Sequence, residues 1–271
     1  MKPAAFDYVR AASIDEATAL LRAEGPDARI LAGGQSLMAM INMRLVRPSL
    51  LIDVMHIPGV ATPRLERGAL VVPLGTRQGA LLARPSLASE VPLLAQALPW
   101  IGHVQTRARG TICGSVAHAD PSAEIPLVLA ALGGSVHVRG RKPRVVPAVE
   151  FLTGMMQTSL RDDELIEAVS FPQVAGSQAF AEFGRRHGDF ALVAVAAVVT
   201  DSGVRLAIGG VNDTPVVQDW PALDSAQIDD ALNECAWSLE ARTDLHASAR
   251  LRRDLVRRLG REVIERARTC A

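Results

Sequence analysis

At 271 residues the chain is long enough to bury a substantial core, as one large domain or two to three small ones. Its apolar fraction of 49% and charged fraction of 21% are those of a globular protein, and 29 basic residues balance 29 acidic ones, which argues against nucleic acid or an anionic membrane as the main partner. The longest apolar run, residues 190–199, is far short of the roughly 20 residues that span a bilayer. Residues 1–8 lack a signal-peptide core, so no membrane span and a cytoplasmic location are expected.

In chain order, Ser13-Ile-Asp-Glu16 has the form of a capping box, with Ser as cap and Glu three residues on. It opens a helix over residues 17–24 that Gly25-Pro26 stops. Residues 29–32 form a short buried strand entering Gly33-Gly34, residues 36–44 a second helix, and residues 50–53 another strand. This is a compact βαβ-like unit over residues 1–57. From 58 to 172 the pattern shifts to short β-type runs, 69–72, 135–138 and 165–171, interrupted by helices over 93–101 and 125–132. The last region, 173–271, offers strands or short helices over 178–186, 191–200 and 204–209. It ends in an amphipathic helix over 251–267 with Leu251, Leu255, Leu259 and Val263 in line. The arginines of that helix read as a solvated face, with partner docking as the minority alternative.

Two glycine-rich segments carry most of the functional information. In Ile30-Leu31-Ala32-Gly33-Gly34-Gln35-Ser36-Leu37 a strand, a Gly-Gly turn and a helix start follow one another, which brings backbone N–H groups close to an anion. An ordinary strand–turn–helix connection explains that segment alone equally well. The second segment, Gly110-Thr111-Ile112-Cys113-Gly114-Ser115, repeats the small residues and hydroxyls near a turn. Asp120-Pro121-Ser122-Ala123-Glu124 then enters a helix. Asp120 is expected to cap that helix with partial ligand contact, and for Glu124 capping and ligand contact stand level. Two such segments point to one extended cofactor held at both ends, and a flavin nucleotide fits.

His118, between two alanines, reads as a hydrogen-bonded structural residue rather than an acid or base. No nucleophile triad, paired carboxylate or metal-ligand cluster is defensible. Cys113, Cys235 and Cys270 are scattered without a CxxC pair, so an iron–sulfur cluster or structural zinc would have to belong to a partner. Redox chemistry here would be that of a bound cofactor.

Ala32-Gly-Gly-Gln-Ser-Leu37, with His103-Val-Gln-Thr-Arg107 leading into Gly110-Thr-Ile-Cys-Gly-Ser-Val-Ala-His-Ala-Asp-Pro121, resembles the FAD-binding medium subunit of molybdenum hydroxylases, the carbon monoxide dehydrogenase and xanthine dehydrogenase flavoprotein family. Leu74-Gly-Thr-Arg77, Phe183-Gly-Arg-Arg-His-Gly-Asp-Phe190 and Ile208-Gly-Gly-Val211 follow in the family's order. The resemblance implies an α+β chain with the FAD-binding fold of the PCMH type: an FAD-binding domain over 1–172, in subdomains 1–57 and 58–172, and a C-terminal domain over 173–271. It implies that residues 30–37 and 111–115 wrap the FAD diphosphate, that Ile101 and Glu124 touch the cofactor, and that Phe190 lies near the isoalloxazine ring. A buried core role explains Phe190 as well.

By the same resemblance, the molybdenum cofactor sits on a large partner subunit and [2Fe-2S] clusters on a small one. Electrons would pass through FAD to an external acceptor. A stand-alone FAD oxidoreductase and a scaffold that has lost FAD are the rival readings.

Two departures stand out. Cys113 replaces a family glycine, which costs on the order of 1 kcal/mol or more if the position needs positive φ and would then weaken FAD binding. Pro73 demotes the strand that holds it to an edge or a bulge.

Overall fold

The computed structural model describes residues 2–269, and Cys270 lies outside them. The first sheet is parallel: β1 (Asp7–Arg10), β2 (Ala28–Leu31) and β3 (Leu50–Asp53), in the order β1-β3-β2. Parallel neighbours need a crossover, and the helix Ile14–Glu24 supplies the first, burying Ala17 and Leu21. That helix starts three residues earlier than the sequence pattern predicts. Ser13 Oγ accepts from Glu16 N–H at 3.1 Å, while the Glu16 carboxylate reaches back to Ala12 N–H at 2.6 Å, one residue upstream of the usual reciprocal bond. Gly25, at φ +64°, ends the helix. The second helix is Leu37–Asn42, shorter than expected because Arg44 turns left-handed at φ +59°.

The second sheet is antiparallel. It contains β4 (Arg64–Glu66), β5 (Ala69–Pro73), β6 (Ser135–Arg139) and β7 (Arg144–Pro147), and after the hairpin of β8 (Leu152–Gly154) and β9 (Gln157–Thr158), β10 (Leu165–Pro172) enters its centre. The order is β4-β5-β10-β6-β7, so β5 is not the edge strand that Pro73 predicts. Proline is tolerated because β4 pairs only with residues 69–71. At Pro73 the strand has β10 alone beside it.

Between β5 and β6 the chain makes a run of short helices: Gln78–Leu82, Leu87–Glu90, Pro92–Ala97, Val104–Arg109, Ile112–His118 and Glu124–Ala131. The helix expected over 93–101 becomes Pro92–Ala97 followed by a 3₁₀ turn, Leu98–Trp100. The second glycine segment, expected as a turn, is the start of the helix Ile112–His118.

The C-terminal sheet is an antiparallel meander of β11 (Ser177–Phe183), β12 (Val193–Thr200), β13 (Gly203–Gly209) and β14 (Val216–Pro221). All three undecided segments of this region are therefore strands. The alternation in β12 serves two cores. Val193, Val195 and Ala197 face the C-terminal helices Ser225–Ser238 and Ala249–Thr269, while Ala194, Ala196 and Val198 join the core that holds the helix Glu124–Ala131. The two C-terminal helices meet at Gly260, where a Cβ would stand 2.6 Å from Leu232.

Leu255, Leu259 and Val263 are buried as the amphipathic pattern requires, but Leu251 is exposed. Nor is the arginine face wholly solvated. Arg252 is buried, donating to Leu192 O (2.6 Å), Gly210 O (2.9 Å) and Asp244 (2.6 Å). The N–H groups of His246 and Ala247, and then Arg252, hold the Asp244 carboxyl down at about 2. One guanidinium thus ties the last helix to both ends of the β12–β13 hairpin region. Arg252→Ala leaves two buried carbonyls without donors and should destabilise the chain by about 3 kcal/mol in urea unfolding. A loss within error of zero would show the staple to be dispensable.

Candidate functional site

The two glycine segments touch. A Cβ on Gly33 would lie 2.3 Å from Arg109 O and 2.7 Å from Gly110 Cα, so the first segment is pressed directly against the backbone that opens the second. Gly34, at φ +70°, makes the turn behind this contact. No backbone acceptor among the described residues takes up the N–H groups of Gly34, Gln35 and Ser36. These donors edge a cleft of about 720 Å³ between the parallel sheet, the five-stranded body and the loop carrying Phe190.

The second segment works differently from the sequence expectation. Thr111 caps the helix Ile112–His118, its Oγ1 accepting from Gly114 N–H at 3.0 Å. Ile112 N–H donates to Thr76 O and Ser115 N–H to Thr111 O. Much of the backbone here is therefore committed inside the chain, and the segment offers the cleft hydroxyls and a small-residue surface. Gly114 is needed by the cap, because a Cβ there would stand 2.6 Å from Thr111 Oγ1.

Cys113 lies within the helix and is absent from the positive-φ residues, so the feared left-handed strain does not arise. Its buried Sγ lies 3.5 Å from Val72 O, and burial pushes the thiol strongly up, leaving it inert.

Of the residues singled out in the sequence, Ile30, Ala32, Gly33, Gly34, Gln35, Ser36 and Leu37 line the cleft on one side, and Thr111, Cys113, Gly114, Ser115, Asp120 and Glu124 on the other. Ile101 and Phe190 border it as well. Leu31 and Ile112 do not: Leu31 packs beneath Gly34, and Ile112 is fully buried in the core.

Asp120 caps a turn rather than the helix, its Oδ1 accepting from Ser122 N–H at 2.8 Å, and the helix itself starts at Glu124. Glu124 is only 7% exposed, and burial followed by the Asp120 charge pushes its carboxyl up to about 7. Phe190 is 69% exposed, which removes the buried-core explanation for it. Its loop is seated by Gly188 at φ +86°, where a Cβ would meet Gly102 O at 2.7 Å. Arg107 fixes that landing point by donating to Ile101 O (2.7 Å) and Gly102 O (3.0 Å).

Sequence reasoning missed Gln78, Thr106, Met156 and, within the 160–166 stretch, every residue but Asp163, all of which line the cleft. Gln78 is buried, its N–H donates to Gly110 O, and its Oε1 has no partner. Nothing in the sequence around residues 160–166 separates it from a solvated turn running into a strand. Among the described residues no group of three or more His, Cys, Asp or Glu stands ready to hold a metal, and no helix is long and apolar enough to cross a membrane.

Residues 4–174 match the model of the FAD binding domain in molybdopterin dehydrogenase. Along almost its full length the chain is 38% identical to the nicotine 6-hydroxylase medium subunit of Paenarthrobacter nicotinovorans, covering 98% of this chain and 99% of the relative. It is 36% identical to the 6-hydroxypseudooxynicotine dehydrogenase complex subunit alpha of the same organism, over 98% and 96%. A solved carbon monoxide dehydrogenase from Hydrogenophaga pseudoflava superposes with a TM-score of 0.94 at 30% identity, over 99% of both chains. The cleft and its glycine seam are those of a flavin nucleotide-binding protein. The chain belongs to the FAD-binding, medium-subunit family of the molybdopterin dehydrogenases, and so is an FAD-dependent oxidoreductase subunit with the α+β fold that the resemblance implied.

The residues present fit FAD: unclaimed N–H donors beside two glycines, hydroxyls opposite them, and apolar walls from Ile30, Leu37, Leu74 and Ile101. Gly33→Ala forces backbone apart at the seam and should cost about 1–3 kcal/mol of stability while weakening FAD binding. Urea unfolding and FAD titration of the same sample check both effects, and unchanged values would remove the seam from the account. Cys113→Gly should destabilise by about 1 kcal/mol or more, through glycine's helix penalty and the lost thiol, with no gain in FAD affinity. A tighter FAD complex in that variant would restore the idea that Cys113 impairs the site.

Proposed function

We propose that this chain is the flavoprotein station of a molybdenum hydroxylase. In this reading iron–sulfur clusters of a small subunit feed electrons to FAD held here, and FAD passes them to an external acceptor. The substrate is oxidised at a molybdenum cofactor on a large subunit. The observation that carries the reading is the seam of Gly33 on Arg109–Gly110, which aligns unclaimed donors on one side of a single long cleft with hydroxyls on the other.

On this reading Gly33, Gly34, Gln35 and Ser36 hold the diphosphate through backbone N–H groups, and Thr111 and Ser115 add hydroxyls from the facing helix. Ile30, Ala32, Leu37 and Ile101 exclude water around it, with Cys113 and Gly114 forming a close-fitting floor. Asp120 and Glu124 are acceptors for sugar hydroxyls, and exposed Phe190 borders the ring end. FAD, when bound, would supply the ability to take electrons one at a time and to release them singly or as a pair. Residues 1–172 serve as the FAD-binding domain and 173–271 as a C-terminal domain, a division supported by their two largely separate hydrophobic cores. The scaffold alternative drew on Cys113, whose thiol turns away to Val72.

Native purification of this chain from cells that also express its partner subunits tests the reading. The expected result is a complex holding FAD, iron and molybdenum in fixed ratio, with flavin reduced by the complex's substrate. Recovery of this chain as a lone, stable flavoprotein without iron or molybdenum would overturn it.

A further inference from the structure

Gln78 is only 5% exposed and lines the cleft, yet its Oε1 is sealed from solvent with no hydrogen-bond partner among the described residues. Two half-buried glutamines of the same body are not left so. Gln96 donates to Gln178 O at 3.0 Å and accepts from Phe180 N–H at 3.1 Å. Gln178 accepts from Leu93 N–H at 3.0 Å and donates to Val174 O at 3.4 Å. An orphaned acceptor out of water carries a desolvation penalty that an apolar side chain of similar size avoids. Gln78 therefore calls for an explanation outside the packing of the chain itself.

The backbone fixes where this amide stands. Residues 76–78 run antiparallel to residues 110–112: Gln78 N–H donates to Gly110 O at 2.8 Å, Ile112 N–H donates to Thr76 O at 3.0 Å, and Arg77 bridges Thr111. The side chain folds against Gly110, where a Cβ would stand 2.8 Å from Oε1. On one side of it Gly33 presses on Gly110, as the seam requires. On the other, the same Cβ on Gly110 would meet Thr106 O at 3.0 Å, and Thr106 packs on Gly102. Gly102 O in turn seats Gly188, two residues before Phe190. Gln78 thus lies between the glycine seam and the loop of Phe190, on one wall of the cleft.

With the diphosphate at the seam and the ring beside Phe190, the part of FAD between them is the ribityl chain, an uncharged row of hydroxyls that need partners once buried. Of the cleft residues nearby, Leu74, Ile101 and Gly114 carry no polar side chain, and the Cys113 thiol is turned to Val72 O. The last torsion of a glutamine is soft, so the amide can turn its oxygen toward the cleft. A hydroxyl can donate to that oxygen, whereas a phosphate oxygen could only accept from the nitrogen and would leave Oε1 orphaned. We propose that Gln78 is a further cofactor-binding residue, its amide oxygen taking a hydrogen bond from a ribityl hydroxyl of FAD. The inference rests on the FAD reading of the cleft.

The test is a cycle of dissociation constants on the full chain stripped of cofactor. Wild type and Gln78→Leu are each titrated with FAD and with FAD analogues that lack one ribityl hydroxyl apiece. For one analogue, wild type should bind about tenfold more weakly than it binds FAD, the effect of losing about one hydrogen bond. The same deletion should change the affinity of Gln78→Leu by less than about twofold, because its partner is already gone. Since leucine removes an orphaned acceptor, the cofactor-free variant should unfold in urea no earlier than wild type. Equal penalties in both proteins for every analogue would overturn the pairing. So would a variant that is less stable without cofactor and loses FAD and all analogues alike, which is the signature of packing alone. Gln78→Met, unbranched like glutamine, carries the same cycle if the leucine variant folds poorly. Failure of wild type to take up FAD would instead overturn the cofactor reading, and this inference with it.

Discussion

The contact between Gly33 and the backbone of Arg109–Gly110 is the constraint on which the rest of the cleft depends. With no room for even a methyl group between them, the turn after β2 and the turn before the helix Ile112–His118 form one surface although one belongs to the parallel sheet and the other to the run of helices between β5 and β6. The first contributes N–H groups that no backbone acceptor among the described residues takes up. The second is stiffened by its own cap at Thr111 and by its tie to Thr76. Such a seam aligns donors before any ligand arrives, so little ordering cost is left for binding. The glycines are therefore as much packing residues as anion-binding ones.

The far wall of the cleft follows from a second packing constraint. The helix Glu124–Ala131 lies buried along its whole length between the central body and the C-terminal sheet. It fits there because β12 and β13 turn alanines and Gly209 toward it. A helix so enclosed begins with its first residue, Glu124, already out of water.

How much of this was legible in the sequence depends on the length of each signal. Strands β2 and β3 of the parallel unit, β10, β12 and the last helix could be read because their apolar patterns run for several residues between clear Gly and Pro breaks, whereas β1, mostly exposed, was not. Of the short helices between β5 and β6, those at 92–97 and 124–131 were legible from their apolar stretches; the others were not, since they span two turns or fewer and show no period. The second glycine segment looked like a turn because glycine and serine favour turns; Thr111 as a cap converts it to a helix start. Cys113 looked like strain because the sequence does not give φ, and in a helix the question disappears. Arg252 was placed with its solvated neighbours because periodicity cannot foresee that two carbonyls and Asp244 would converge on one guanidinium. Most cleft-lining residues in the glycine segments were named from motif alone. The 160–166 side of the cleft carries no motif and emerged only from the fold.

The most direct test of the central claim, that the two segments jointly grip a diphosphate, is a comparison of dissociation constants for FAD, FMN and riboflavin on the cofactor-free chain. The account predicts FAD at least a hundredfold tighter than riboflavin, about 2.7 kcal/mol or more, with FMN between them. Equal affinity for FAD and riboflavin would mean the ring alone is held, and the glycine seam would lose its role.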